Sequence, residues 1–178
     1  MHPVAGLAAR QAGEIAMRYW RKNPRVWDKG GNAGPVSAAD LVVNTLLEHI
    51  LCKARPGYGW LSEETPDDVK ARDTDHVFIV DPIDGTRAFI DGSPGFSHAL
   101  AVTYKGLVLA GVVYLPALQL LFAAQSGEGA VRNGAPLKPH FRTNVSGADI
   151  LGAKANFDPR HWRGGLPALR QSFRSSLA

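Results

Sequence analysis

Residues 77–94 read VFIVDPIDGTRAFIDGSP. An apolar run ends in Asp81 and Asp84, with Pro82 and Ile83 between them and Gly85 and Thr86 behind. A carboxylate at the end of a buried strand is costly to leave without a partner. Proline fixes φ and stiffens a turn, so Pro82 lets both carboxylates aim at one point, with the Ile83 carbonyl between them as a further oxygen. Sets of oxygens like this suit hard cations such as Mg²⁺. Gly85 allows the backbone to approach an anion closely, and a helix opening at Thr86 offers free N–H groups to a phosphate. An Asx turn joining strand to helix, with Asp84 as a plain cap, accounts for the same spacing.

A second acidic point tilts the balance. Glu63 and Glu64 follow another short apolar stretch, Gly59-Trp60-Leu61. Two strand ends that carry acids can converge on one rim of a sheet, where open α/β sheets bind ligands.

The elements that must hold these residues follow from periodicity. Residues 4–21 are predicted helical, with Ala8, Ala12, Ile15, Ala16 and Tyr19 at helical spacing. Residues 28–36 read as a Gly-rich loop. Ser37 is then an N-cap for residues 38–54, with Asp40 at the third helical position as in a capping box. Leu41, Val42, Thr45, Leu46, His49 and Ile50 are predicted to form the inner stripe, His49 as a core or boundary residue. Residues 58–65 read as a short strand running into acids, and 76–80 as a strand. A short helix is expected at 86–91 and three antiparallel strands near 96–104, 107–114 and 119–124. A hairpin at 127–139 turns at Asn133-Gly134. A new strand is expected at 149–157 and a loop and helix in 161–173.

Composition bounds the function classes. The chain has 178 residues, 45% apolar and 20% charged, enough for a core and ordinary for a globular domain. The net charge of +4 is spread over small clusters, Arg18, Arg21, Lys22 and Arg25 early and Arg160, Arg163, Arg170 and Arg174 late. These read as solvated faces, with an anionic ligand as the alternative, and no nucleic-acid motif accompanies them. Cys52 is the only cysteine, which suits a reducing, cytoplasmic setting, and its apolar surroundings suggest a small core residue. The stretch 99–124 is apolar enough to suggest a membrane span, but Lys105-Gly106 and Leu115-Pro116 divide it at strand-like intervals. The first twenty residues lack the layout of a signal peptide.

Taken together, DPIDGT at 81–86, LSEET at 61–65 and GPVSAAD at 34–40 make the sequence similar to the inositol monophosphatase superfamily of Mg²⁺-dependent, often Li⁺-sensitive phosphatases. The resemblance runs from about residue 5 to 178. It implies an α/β fold, the layered α-β-α-β-α sugar-phosphatase-like arrangement. The N-terminal α+β domain, residues 1–145, would carry the motifs, and 146–178 would begin a C-terminal α/β domain that is truncated. It implies Mg²⁺ held by Glu63, Asp81, Asp84 and the Ile83 carbonyl, and phosphate held by the N–H groups of Gly85 and Thr86. The Thr86 hydroxyl, oriented by Asp40, would help position and deprotonate the attacking water, beside Glu63. Lys29 matches a lysine that the family often places near its site. The partner implied is a small phosphate ester, with no nucleic-acid polymer or membrane and with a homodimer allowed.

The chain also departs from the family. Members run roughly half as long again and carry a late carboxylate ligand in a WDxAA motif, whereas Trp27-Asp28 is the only Trp-Asp pair here and lies too early. A cut-down chain with an incomplete metal site, weak metal binding and exposed apolar surface is therefore expected. An inactive Mg²⁺- or phosphate-binding module is the alternative of another class. LSEET, GTRAFI and the terminal RSSLA resemble the 3'(2'),5'-bisphosphate nucleotidase branch, pointing to 3'-phosphoadenosine 5'-phosphate ahead of inositol 1-phosphate.

Overall fold

The computed structural model describes residues 3–30, 34–66, 68–70, 72–138 and 158–161. The chain divides into two compact units, Met1–Lys138 and Pro139–Ala178. In the second, the described residues hold a single 3₁₀ turn, Pro159–His161. The expected boundary after 145, strand at 149–157 and helix within 161–173 lie outside the described residues, as does RSSLA.

The first unit opens with helix α1, Pro3–Tyr19. Two short strands, β1 (Val26–Asp28) and β2 (Pro35–Ser37), pair antiparallel. The region expected as a plain loop is therefore the tip of a hairpin. Helix α2, Ala38–Ala54, follows with Ser37 as N-cap and Asp40 at its third position. Strands β3 (Gly59–Ser62) and β4 (His76–Asp84) come next, then a five-residue helix α3, Thr86–Ile90. Strands β5 (Ser97–Tyr104), β6 (Leu107–Leu115), β7 (Leu120–Gln125), β8 (Gly129–Arg132) and β9 (Ala135–Pro136) complete the unit.

Strands β3 to β9 form one seven-stranded sheet in chain order. Only β3 and β4 pair in parallel, and each later neighbour is antiparallel. The apolar stretch 99–124 is thus three strands, and among the described residues no helix is long and apolar enough to cross a membrane.

The two long helices cover one face of this sheet, α1 against β5 and β6 and α2 against β3 and β4. α1 presents Ala5, Ala8, Ala9, Ala12 and Ala16, all buried. Small side chains let the helix sit close to the sheet. At Gly13 even a methyl group would stand 2.5 Å from Tyr114 Cε1, so the ring of Tyr114 fills the space a side chain would need.

The inner stripe of α2 differs from the expected one. Ala39, Asp40, Val43, Asn44, Leu47 and Leu51 are buried, while Leu41 and Val42 are each 40% exposed and His49 is exposed. The helix is apolar over most of its circumference, so periodicity alone does not choose the face. Asp40 and Asn44 can lie on the buried face because their polar atoms find partners there, Ser37 and Thr86 for Asp40 and Ser62 and Thr65 for Asn44. Cys52 packs against the core as expected.

The opposite sheet face is apolar and partly open. Ile79 is 40% and Val113 39% exposed on it. With Leu61, Ala99, Ala101 and Phe122 they line a trough of about 690 Å³ whose end reaches Glu63 and Asp81.

Candidate active site

The parallel pairing of β3 and β4 sets Ser62 opposite Val80, so both chains leave the sheet at the same rim. The Glu63 N–H donates to the Val80 carbonyl at 3.1 Å, extending that ladder by one step. Glu63 and Asp81 therefore arrive side by side.

β4 does not stop at Val80, as expected from the sequence, but runs on through Asp81, Pro82 and Ile83 to Asp84. It does so by way of a bulge. Asp81 pairs with Ala99 and Asp84 with Ser97, leaving Pro82 and Ile83 together opposite His98. The bulge returns both aspartates to the rim, and the Ser97 hydroxyl donates to Asp84 Oδ2 at 3.3 Å.

Asp81 is the most perturbed carboxyl there. Burial raises it, and the charges of Glu63 and Asp84 push further in the same direction, to about 7 from an ordinary 3.8. The Glu63 carboxylate lies within hydrogen-bonding reach of it. Asp81 Oδ1 is buried and has no hydrogen-bond donor among the described residues. An oxygen in that state, beside two more carboxylates, fits a bound cation, which is the one partner that would satisfy all three groups at once.

Among the described residues no three acidic, imidazole or thiol side chains stand as a finished coordination shell. Glu63 is drawn to a different cation. The Lys29 ammonium, at the β1–β2 hairpin, sits 3.0 Å from Glu63 Oε1 and 2.6 Å from Glu64 Oε1.

Behind the acids lies a second polar layer. The Ser37 N–H and hydroxyl donate to Asp40 Oδ2 at 2.8 and 2.6 Å. Asp40 is fully buried, and burial is the main cause that raises its carboxyl above the usual range, against these hydrogen bonds. Its Oδ1 faces the Thr86 hydroxyl at 3.3 Å, and that hydroxyl lies 3.0 Å from the Ile83 carbonyl. One hydroxyl proton thus has two acceptors in reach, a carboxylate and the carbonyl proposed as a metal ligand. Gly85 precedes α3 at φ +84°, where a side chain would be strained, and a Cβ there would meet the Gly95 carbonyl at 3.3 Å.

Two residues of this layer escaped the sequence reading. Asn44 accepts from the Ser62 hydroxyl at 2.6 Å and donates to the Thr65 hydroxyl at 3.0 Å, tying α2 to the turn that carries Glu63 and Glu64. A lone asparagine in an apolar helical stripe was its only signal. His98 lies on β5 with its Nδ1 against the Pro82 carbonyl, and nothing in its apolar sequence context marks it.

A mixed sheet backed by two helices on one face, with acids gathered at the exit of its parallel pair, defines an α/β protein with an acid-rimmed candidate site. The Inositol monophosphatase family model matches residues 1–163, and the chain belongs to that family. It is 42% identical over 103 residues to an inositol-1-monophosphatase of Mesorhizobium japonicum, covering 58% of this chain and 38% of the relative. It is 34% identical over 131 residues to a histidinol-phosphatase of Chlorobaculum parvum, covering 73% and 49%. The crystal structure of the extragenic suppressor protein suhB from Bartonella henselae superposes with a TM-score of 0.72 at 37% identity, over 78% of this chain and 54% of that one. The chain therefore spans between about four tenths and just over half the length of these relatives.

Proposed function

We propose that the protein is a Mg²⁺-dependent phosphomonoesterase acting on a small phosphorylated metabolite. The buried, donorless Asp81 Oδ1 between Glu63 and Asp84 carries this reading. Glu63, Asp81 and Asp84 would hold the ion, with the Ile83 carbonyl beside them. A bound divalent cation supplies a water of lowered pKa and neutralises charge on the phosphoryl group. The chain's own residues do the rest. With the Ile83 carbonyl turned to the ion, the Thr86 hydroxyl would donate to Asp40, itself anchored by Ser37, so that hydroxyl can hand its proton to Asp40 and accept one from the attacking water. Gly85 and Thr86 would present backbone N–H groups to the phosphate, and the absence of a side chain at Gly85 lets the Gly95–Phe96 backbone pack against this turn. No covalent phospho-enzyme is needed.

The finer assignment is to 3'-phosphoadenosine 5'-phosphate, supported by LSEET and GTRAFI. A second reading, inositol 1-phosphate, is favoured by the name of the Mesorhizobium relative. Phosphate release from 3'-phosphoadenosine 5'-phosphate, inositol 1-phosphate and histidinol phosphate, measured side by side in Mg²⁺ with and without Li⁺, tests both. The nucleotide is expected to be hydrolysed fastest, and fastest release from inositol 1-phosphate would give the assignment to the second reading. No release from any of the three, with Asp81→Asn binding Mg²⁺ as well as the parent, would overturn the phosphatase reading itself.

A further inference from the structure

The β4 bulge poses a problem of hydrogen bonding. Two residues, Pro82 and Ile83, face one residue, His98, so the ladder between Asp81↔Ala99 and Asp84↔Ser97 skips a step. Pro82 has no N–H to offer, and its carbonyl has lost its backbone donor. Both bulge side chains are fully buried, so water cannot easily replace that donor, and an unpaired buried acceptor costs about 1–3 kcal/mol. The Ile83 carbonyl is met by the Thr86 hydroxyl. The Pro82 carbonyl is met by His98 Nδ1.

We propose that His98 is the positioning residue of the active-site turn: its ring N–H replaces the missing ladder donor at Pro82 and thereby fixes the bulge that aims Asp81 and Asp84 at one point. A carbonyl can only accept, so Nδ1 carries the ring proton. His98 is 0% exposed, and its ring stands 6.4 Å, centroid to centroid, from both Phe96 and Tyr114. Its Nε2 is buried without a hydrogen-bond partner among the described residues. The ring is thus held at one end by a single polar contact and packed on its sides. That is the arrangement of a fixed strut rather than of a group that exchanges protons with solvent. Burial lowers its pKa to about 4, which keeps it in the one-proton form the contact requires. The bond spans adjacent strands, so it ties the bulge of β4 directly to β5.

This inference rests on the reading of Asp81 and Asp84 as Mg²⁺ ligands, and the test separates the two. His98→Val keeps a strand-forming apolar side chain and removes the donor. His98→Asn places an amide N–H where Nδ1 was. Mg²⁺ affinity by isothermal titration is expected to fall at least about tenfold in His98→Val, the usual cost of losing a group that orients a ligand. His98→Asn should bind within about threefold of the parent. Parent-like affinity in His98→Val, or equal losses in both variants, overturns the proposal. Where the parent itself shows no Asp81-dependent Mg²⁺ binding, the metal reading fails, and amide hydrogen exchange at Asp84 and Gly85 decides for His98. Faster exchange in His98→Val, restored in His98→Asn, supports it, and unchanged exchange overturns it. Should His98→Val not fold, ¹⁵N NMR of the parent is sufficient: a slowly exchanging proton on Nδ1 with a bare Nε2 supports the proposal, and a proton on Nε2 overturns it.

Discussion

The Lys29 ammonium lies 2.6 Å from Glu64 Oε1, and the Glu64 side chain is only 5% exposed. The two partners respond differently to the pairing. Burial lowers Lys29, but Glu64 and Glu63 together more than offset it, so the net shift is upward. In Glu64 burial raises the carboxyl, and Lys29 offsets this only in part, with Asp40 and Glu63 pushing upward as well. Lys29 is thus what draws the buried Glu64 carboxyl back towards its ionised form. Lys29→Met should lower the melting temperature in chelator by the equivalent of about 1–2 kcal/mol, the cost of a buried group left unpaired. The rise on adding Mg²⁺ should become larger, because Glu63 is freed. An unchanged melting temperature in chelator would show that the pair does not hold the turn.

Asn44 joins α2 to the acid-bearing turn through Ser62 and Thr65. Asn44→Ala should cost about 1–3 kcal/mol in urea denaturation, since it strands two hydroxyls. Asn44→Leu, which suits the apolar stripe but not the network, should fare no better. A stability equal to the parent in either variant would remove the network from the folding energetics.

The Thr86 hydroxyl has both Asp40 and the Ile83 carbonyl within reach. Thr86→Val keeps the shape and loses the proton relay. In the phosphate-release assay its kcat should fall about a hundredfold or more, the usual worth of a positioned acid–base group. KM should change by less than about threefold, as befits a group acting in the transition state. Thr86→Ser should retain most of the activity. A Val variant with parental turnover would take Thr86 out of the chemistry.

The pH dependence of stability has two opposing arms. Asp81 titrates near 7 when folded, because of burial first and its acidic neighbours second, against 3.8 ordinarily. Across that window the folded chain keeps a proton that the unfolded chain has lost, so stability falls as pH rises. Asp40 and Glu64, also raised mainly by burial, add to this arm. His98, lowered from 6.5 to about 4 by burial, does the reverse, and stability falls as pH drops through that window. Asp81→Asn removes part of the first arm. In chelator it should melt on the order of 3 °C higher than the parent at pH 8 and at the parental temperature at pH 4. Equal melting at pH 8 would mean that Asp81 ionises freely in the folded chain.

The local geometry of the candidate site was legible in the sequence where it depends on local order. Asp81, Asp84, Gly85 and Thr86 are consecutive or nearly so, and proline and glycine at 82 and 85 leave the backbone few choices. Ser37 and Asp40 are likewise related by a short-range cap. What stayed hidden depends on register between distant segments. The bulge that carries β4 on to Asp84 is set by pairing with β5, and the donor for Pro82 comes from His98, sixteen positions away. Lys29 reaches Glu64 across thirty-five positions, from a hairpin that its glycines disguised as loop. The face of α2 was misjudged because hydrophobicity counts Asn44 and Asp40 against burial, whereas paired polar groups bury readily.

The place of β3 as the first strand of the sheet, in space and in the chain, has a consequence for how the chain is made. From β4 onward each strand can zip onto the one just synthesised, since neighbours in space are neighbours in time. β3 cannot join that sequence when it emerges, because its partner has yet to be translated. Glu63 leaves the ribosome eighteen residues ahead of Asp81, roughly one to four seconds earlier at ordinary elongation rates. During that interval the α2–β3 segment has only the contacts that the chain already made can offer, the packing of α1 on α2 and the pairing of Asn44 with Ser62 and Thr65 among them. The acids that most need one another are thus the ones that biosynthesis keeps apart, and the rim they share is closed by β4 as it arrives.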